Sequence, residues 1–225
     1  MREQQTKKVR VWDLPLRLFH WILAALIIAA IVTENIGGNA MIWHFRIGYA
    51  VLTLLAFRLI WGFAGSRYSR FSSFIYSPKA LIRYLRDPSF YSAGHSPLGA
   101  LSVFALLLVL LGQATSGLFS TDDIAFDGPM VKFASSEWVS RLTWYHTEVS
   151  AYLVYFFVGL HVAAIAWYAL RRRNLVTPMI TGDAAVDADL PPARDTAGLR
   201  LLALLLLAAC AGGVYYLVTL PAPSF

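Results

Sequence analysis

Apolar residues fall along the chain in five long runs, roughly Leu18–Ile36, Ile42–Ala64, Pro97–Phe119, Trp144–Ala166 and Leu199–Leu220. Each is near the about 20 residues that a helix needs to cross a hydrocarbon core about 30 Å thick. Glu34-Asn35-Ile36-Gly37-Gly38-Asn39 punctuates the first gap, as paired glycines and asparagines do between helices. The pattern predicts an all-α integral membrane protein. Residues 1–173 form a four-helix transmembrane bundle, 174–198 a cytoplasmic linker, and 199–225 an additional C-terminal transmembrane helix and tail.

The gaps differ from one another. Ser66–Ser92 is basic, with Arg67, Arg70, Lys79, Arg83 and Arg86. Within it, Pro78 followed by K-A-L-I-R-Y-L-R predicts a short interfacial helix begun by one proline and stopped by Pro88. Ser120–Thr143 is acidic: Asp122, Asp123, Asp127 and Glu137 outnumber Lys132 and Arg141, and its apolar clusters are too short to span. Asn174–Gly198, with Gly182, Asp183, Asp187, Asp189, Pro191, Pro192 and Asp195, reads as irregular. Trp12 and Trp21 read as interfacial anchors, and the first run, long and directly followed by a second, as a retained span. Arg2, Lys7, Lys8, Arg10 and Arg17, the Ser66–Ser92 linker and Arg171–Arg173 all fall on one side of a five-span chain. The positive-inside rule makes that side cytoplasmic, with the N-terminus in the cytoplasm and the C-terminus outside.

Composition then excludes several classes. The chain of 225 residues is 58% hydrophobic, too apolar for an ordinary soluble domain. Its formal charge of +6 sits between apolar spans, so it reads as topology determinants facing anionic lipid, not as a nucleic-acid surface. The one cysteine, Cys210, lies in an apolar run. That rules out a disulfide framework, a C-x-x-C-H covalent haem site and a thiolate cluster. There is no Walker loop, dinucleotide-binding glycine pattern or nucleophile elbow.

The chemistry that remains is carried by histidines. A histidine in a spanning segment is costly and points to a function. His146 and His161 share the fourth run. Fifteen residues at about 1.5 Å rise place them roughly 22 Å apart on one helix, offset by about 60°, one toward each side of the bilayer. His20, His95 and His161 fall on the cytoplasmic side, His44 and His146 on the outer side. A b-type haem needs two axial imidazoles from facing helices, which makes the bundle a haem-binding one. On the outer side the pair is His44 with His146. On the cytoplasmic side His161 takes His20, which lies inside a span, or His95, which precedes Ser96-Pro97 at the interface; the placement of His20 favours it. Gly48 lies one turn after His44, where the missing side chain admits either a flat macrocycle or a packed helix. Arg58 falls late in its span, where it snorkels or meets an anionic group.

Five pieces in order resemble the bacterial di-haem cytochrome b561 family and the related b-type cytochrome subunits of nickel-iron hydrogenases. They are V-W-D-L-P-L-R-L-F-H-W at Val11–Trp21, W-H-F-R-I-G at Trp43–Gly48, G-H-S-P-L-G-A at Gly94–Ala100, W-Y-H-T-E at Trp144–Glu148 and G-L-H-V-A-A-I at Gly159–Ile165. The resemblance covers about Val11 to Gly182. It implies a four-helix core with two non-covalent haem b groups, His20 and His161 holding the cytoplasmic one, His44 and His146 the outer one. It leaves His95 as a quinone or propionate contact. Arg17, Arg46 and Arg58 are candidates to pair with the anionic haem propionates, the alternative being a lipid-phosphate contact or a topology charge. The fifth run has no counterpart in the four-helix pattern; it would dock a partner subunit, mediate a homodimer or anchor the tail.

The function expected on this basis is electron transfer across or at the bacterial inner membrane, between ubiquinone or menaquinone and a redox partner such as a periplasmic cytochrome, within a respiratory chain. Two axial histidines per iron leave no position for oxygen, so a small oxidant such as superoxide would react only by outer-sphere transfer. The rival is an anchor and haem-relay subunit of a hydrogenase or other dehydrogenase, without turnover of its own. A haem-free transporter or scaffold is the third class.

Overall fold

A computed structural model of the protein describes residues 7–87, 93–186 and 190–221; Arg2, Pro88, Asp187, Asp189 and Pro223 lie outside the described residues. In chain order the elements are β1 (Lys7–Arg10), α1 (Leu14–Ile36), α2 (Met41–Ala64), α3 (Pro78–Arg86), α4 (Pro97–Gly117), α5 (Ser136–Trp144), α6 (Ala151–Leu170), α7 (Val176–Thr181), β2 (Asp183–Val186) and α8 (Ala197–Val218). A π-helical segment, Tyr145–Ser150, joins α5 to α6. Among the described residues five helical stretches are long and apolar enough to cross a membrane: Leu14–Ile36, Gly38–Ala64, Pro97–Gly117, Ser136–Leu170 and Ala197–Val218. Large apolar side chains on them point outward, Phe63 at 77% and Leu108 at 73% exposure among them. Such surfaces are stable only against lipid or another apolar face. The protein is an all-α, multi-pass membrane protein.

Two compact units draw on interleaved segments: Met1–His20, Arg58–Ala105 and Gly159–Leu204 in one, Trp21–Phe57, Leu106–Val158 and Leu205–Phe225 in the other. The first is built on Asp13, which is fully buried. Its Oδ1 accepts the N–H of Leu16 at 2.8 Å and the indole N–H of Trp61 at 3.2 Å. Its Oδ2 accepts the hydroxyls of Ser66 and Ser69. The Leu16 bond is an N-cap, and Pro15 follows in the first turn. Hence α1 starts four residues before the apolar run does. Each donor stripped of this carboxylate would cost about 1–3 kcal/mol. Helix α3 forms where its sequence implies, with Ser77 capping the N–H of Ala80 at 3.3 Å. Tyr84 is buried, and its hydroxyl meets that of Tyr168 at 3.1 Å.

Part of the stretch expected to be irregular is regular, since α7 and β2 lie within it, while residues 190–196 are irregular as expected. Residues 183–186 pair antiparallel with 7–10, Lys7 opposite Val186 and Arg10 opposite Asp183. Gly182, at φ +91°, ends α7, and its carbonyl accepts the N–H groups of Val11 and Trp12 at 2.8 and 3.0 Å. Arg10 donates to Asp183 at 2.6 Å and to Asp195 at 2.8 Å, and Arg200 donates to Asp195 at 2.9 Å. Glycine and aspartates that read locally as loop formers serve here as a helix cap and as partners of a distant strand. Trp12 is likewise no interfacial anchor: it is buried.

The second unit packs Leu52, Leu118, Met130 and Val214 together, with Leu217 and Leu220 against them. Its acidic loop is held by its own carboxylates. Asp122 accepts the N–H groups of Phe126 and Ala125 at 2.8 Å and of Ile124 at 3.0 Å; these bonds, that of Phe126 foremost, hold it below the usual carboxylate range. The Thr121 hydroxyl donates to Asp127 at 2.5 Å. Helix begins at Ser136, eight residues before the fourth apolar run, in an amphipathic turn with buried Val139 and a Glu137–Arg141 pair at 2.7 Å.

Burial alone would raise the Asp195 carboxyl, but hydrogen bonds from Arg200 and Leu14 outweigh it and hold the group below its ordinary value. A depressed carboxylate stabilises above its unfolded pKa of about 3.9 and loses that contribution as pH falls through the folded value. Asp195→Asn is therefore expected to hasten proteolytic cutting of residues 182–196 at neutral pH. The gap from the wild type should close on acidification with an acid-tolerant protease; a gap that stays constant with pH would contradict this.

Candidate functional site

Two pairs of imidazoles stand out, one inside each unit. In the first unit His20 comes from α1 and His161 from α6. Their ring centroids are 6.2 Å apart, with planes inclined by 55°. In the second, His44 comes from the first turn of α2 and His146 from the π-helical segment, with centroids 6.3 Å apart and planes at 84°. The pairings expected from sequence are thus brought together in space. His95 is not a third member of either pair. It precedes α4, with its ring 4.2 Å from Phe74 and 4.7 Å from Trp12, and its carbonyl accepts the hydroxyl of Tyr76 at 2.8 Å. Burial, followed by the charges of Arg58 and His20, pushes its pKa down to about 3, so this imidazole is neutral.

The surroundings of the second pair fix its tautomers. A carbonyl only accepts, so Nδ1 of His44 donates to Ala30 O at 3.0 Å and Nδ1 of His146 donates to Gln113 O at 2.9 Å. Both rings then keep an Nε2 lone pair. Around His146 the fit is close. The Gln113 side-chain nitrogen lies 3.3 Å from Nε2, the Ser116 hydroxyl 3.3 Å from Nδ1, and Ser150 donates to the Gln113 side-chain oxygen. A Cβ on Gly117 would stand 2.7 Å from His146 Cε1, and one on Gly112 2.8 Å from the Tyr145 hydroxyl. The two glycines of α4 thus let Tyr145 and His146 approach its backbone. A π turn widens the helix by one residue and re-aims its side chains, a feature frequent at functional sites.

The other expected residues divide. Gly48 is half-buried, yet a Cβ built on it meets no heavy atom within 4 Å. Arg46 is exposed and lies over the ring of Trp43 at 5.0 Å. Arg17 donates to Ile180 O and stands 3.9 Å from Asp195. Arg58 does not snorkel: it is 2% exposed, stacked over Phe71 at 4.7 Å.

The ring separations can be tested against axial ligation. Two imidazoles on opposite sides of one iron, each nitrogen about 2.0 Å from the metal and each centroid about 1.1 Å beyond, stand about 6.3 Å apart. Both pairs match. Among the described residues no group of three or more His, Cys, Asp or Glu side chains gathers to hold a metal. Two imidazoles alone suit a metal whose remaining ligands arrive with a macrocycle. Sequence reading missed Asp13, Gln113, Ser116, Ser150 and the π turn. Asp-Leu-Pro at 13–15 is a helix-start signal, and Gly112-Gln-Ala-Thr-Ser-Gly117 is a polar, glycine-bounded hexapeptide in an apolar span.

A multi-pass helical protein with facing imidazoles on separate helices has the build of a transmembrane b-type cytochrome. Residues 11–182 match the family model described as prokaryotic cytochrome b561, and the chain belongs to that family. It is a transmembrane b-type cytochrome of electron transfer, and haem b is the cofactor of its class. Similar proteins include the probable Ni/Fe-hydrogenase B-type cytochrome subunits of Bradyrhizobium diazoefficiens, Cupriavidus necator and Azotobacter vinelandii. Identities are 24%, 26% and 25%, over 78%, 78% and 81% of this chain and 85%, 86% and 91% of those proteins. No solved structure matches. The match to the family model ends before α8.

Two glycine variants separate packing from cofactor approach. Gly117→Ala crowds the His146 ring and is expected to lower the haem b content of purified protein, read from reduced-minus-oxidised absorbance. Gly48→Ala meets no protein atom, so thermal stability should hold or rise by up to about 1 kcal/mol, while haem content falls. Unchanged haem in Gly48→Ala would show that nothing approaches that face.

Proposed function

We propose that the protein is a di-haem cytochrome that carries electrons between the quinone pool and a redox partner in the bacterial inner membrane, with its N-terminus cytoplasmic and its C-terminus periplasmic. The observation that carries this reading is the pair of centroid separations, 6.2 and 6.3 Å, each suited to bis-imidazole ligation. When bound, haem b supplies a one-electron iron couple. The chain does the rest. His20 with His161, and His44 with His146, would each hold one haem, so small molecules would react only at the cofactor edge. The Ala30 and Gln113 carbonyls hold His44 and His146 by their Nδ1–H groups, fixing ring orientation and raising ligand basicity. The apolar walls of both units exclude water. A lipid-soluble quinone, ubiquinone or menaquinone, meets such a protein from the membrane itself, and the acidic loop at 120–143 offers a basic partner a complementary charge.

The names of the relatives favour a second version of the same chemistry, in which the chain is the relay subunit of a hydrogenase-like complex. A large redox subunit that stays with the cytochrome through mild solubilisation would select it. Reduction of the isolated protein by a quinol would select the self-contained form.

Pyridine haemochromogen quantification is expected to give two haem b per chain. His44→Ala or His146→Ala should leave one, His20→Ala or His161→Ala the other, and His95→Ala both. Loss of both haems from a folded single variant, or loss of one with His95→Ala, would break the pairing.

A further inference from the structure

The segment W-Y-H-T-E at Trp144–Glu148 carries, besides His146, a carboxylate. Among the described residues three acids lie in the spanning stretches: Glu34, Glu137 and Glu148. Glu34 accepts the side-chain N–H of Asn35 at 2.9 Å, and Glu137 accepts from Arg141 at 2.7 Å. Among the described residues no hydrogen bond or ion pair engages Glu148. A carboxylate in a spanning stretch is costly and marks a substrate or ion path. In the orientation proposed above, Leu170 closes the span on the cytoplasmic side. Counting back about 20 residues from it reaches the outer edge of the hydrocarbon near Ser150, so Glu148 stands where acyl chains give way to headgroups.

The setting of Glu148 is aromatic. Residues four apart are neighbours on a helix face, and Trp144 and Tyr152 flank it at that spacing, exposed at 61% and 63%. Glu148 is exposed with them. Tyr155 continues the stripe, its ring 6.4 Å from that of Tyr152. His146 comes two residues before Glu148, about half a turn round the helix. It faces the other way, beside Gly117, with Nδ1 donating to Gln113 O at 2.9 Å. One helical turn thus carries an imidazole of the second pair on its inner side and a carboxylate among exposed rings on its outer side.

A face of this make suits a quinol. The flat ring of a quinol lies on Trp144 and Tyr152, and its tail stays in lipid. Its hydroxyls are donors, and a carboxylate, which only accepts, is the partner they fit. An anionic lipid headgroup would be repelled by the same carboxylate.

We infer that Trp144, Glu148 and Tyr152 form a docking face for a quinol at the outer end of the fourth span, where the Glu148 carboxylate accepts a hydrogen bond from a quinol hydroxyl. This face rests on the quinone-linked reading and adds what that reading leaves open, a site and an oxidation state. It takes the reduced form, which has a hydroxyl to give, in preference to a quinone, whose carbonyls only accept.

The test uses the purified holoprotein in lipid nanodiscs with decylubiquinol as the probe, in wild type, Glu148→Ala, Glu148→Gln, Tyr152→Leu and Glu137→Gln. Loss of a charge-assisted hydrogen bond is expected to raise the KM for decylubiquinol about tenfold in Glu148→Ala. The rise should be smaller in Glu148→Gln, whose amide oxygen still accepts, and in Tyr152→Leu, which loses one ring. Affinity for a fluorescent quinol analogue, heptyl-hydroxyquinoline N-oxide, should fall in parallel. Haem content and the rate of reduction by dithionite, which needs no docking face, should stay the same, and Glu137→Gln should keep its KM. An unchanged KM or an unchanged analogue affinity in Glu148→Ala overturns the inference, as does competition by decylubiquinone as strong as that by the quinol. Should Glu148→Ala fail to fold, an unchanged KM in both Glu148→Gln and Tyr152→Leu overturns it equally. Wild-type protein that decylubiquinol does not reduce overturns the quinone-linked reading itself, an outcome visible before any variant is compared.

Discussion

Polar side chains inside apolar helices must find partners within the protein, and the structure follows from how that demand is met. In each unit the spanning helices approach where they carry imidazole, carboxylate, guanidinium, amide or hydroxyl groups. The first unit gathers around Asp13, whose carboxylate receives four donors from four residues. One of those donors starts α1, so the bond that caps the helix also sets the height at which His20, seven residues on, faces His161. The second unit answers the same demand with Gln113, Ser116 and Ser150 around His146. In a medium without water these bonds have no competitor, which is why so few of them suffice to hold ring positions.

The spans were legible in the sequence because lipid leaves one solution for a run of about 20 apolar residues. Their number and order follow from that alone, whereas the start of the fourth lies eight residues earlier than its apolar run, and the helix at Pro78–Arg86 was legible from its initiating proline. The imidazole pairings were legible for a related reason: five histidines at span ends offer few combinations once the spans alternate in direction. What stayed hidden was non-local. Nothing near Asp183 announces that it meets Arg10 across 173 positions. Gly112 and Gly117 are glycines of the third span, but the partners they admit, Tyr145 and His146, lie elsewhere in the chain. The π turn leaves no periodicity to read, because it lasts one turn.

The two pairs are alike in spacing and unlike in support. His44 and His146 each give a ring N–H to a backbone carbonyl, a bond whose strength no side-chain substitution nearby abolishes. The His20–His161 pair instead has a buried cation and a neutral histidine in its neighbourhood. The two imidazole pairs therefore share a spacing and differ in their electrostatic surroundings.

The fifth helix lies beyond the match to the family model, but the structure does not treat it as an appendage. In the first unit its start is locked by Asp195, which joins Arg200 of α8 to Arg10 of β1 and lies 3.9 Å from Arg17 of α1. In the second, Val214 and Leu217 pack with Leu52, Leu118 and Met130, and Lys132 donates to the carbonyl of Leu220. A tail that merely anchored the chain would need neither attachment. Because Asp195 also accepts the backbone N–H of Leu14 at 3.3 Å, the same carboxylate serves the first turns of α1 and α8. A residue just before the added helix therefore helps to seat the helix that carries His20, which ties the start of the fifth span to α1 through one ion network.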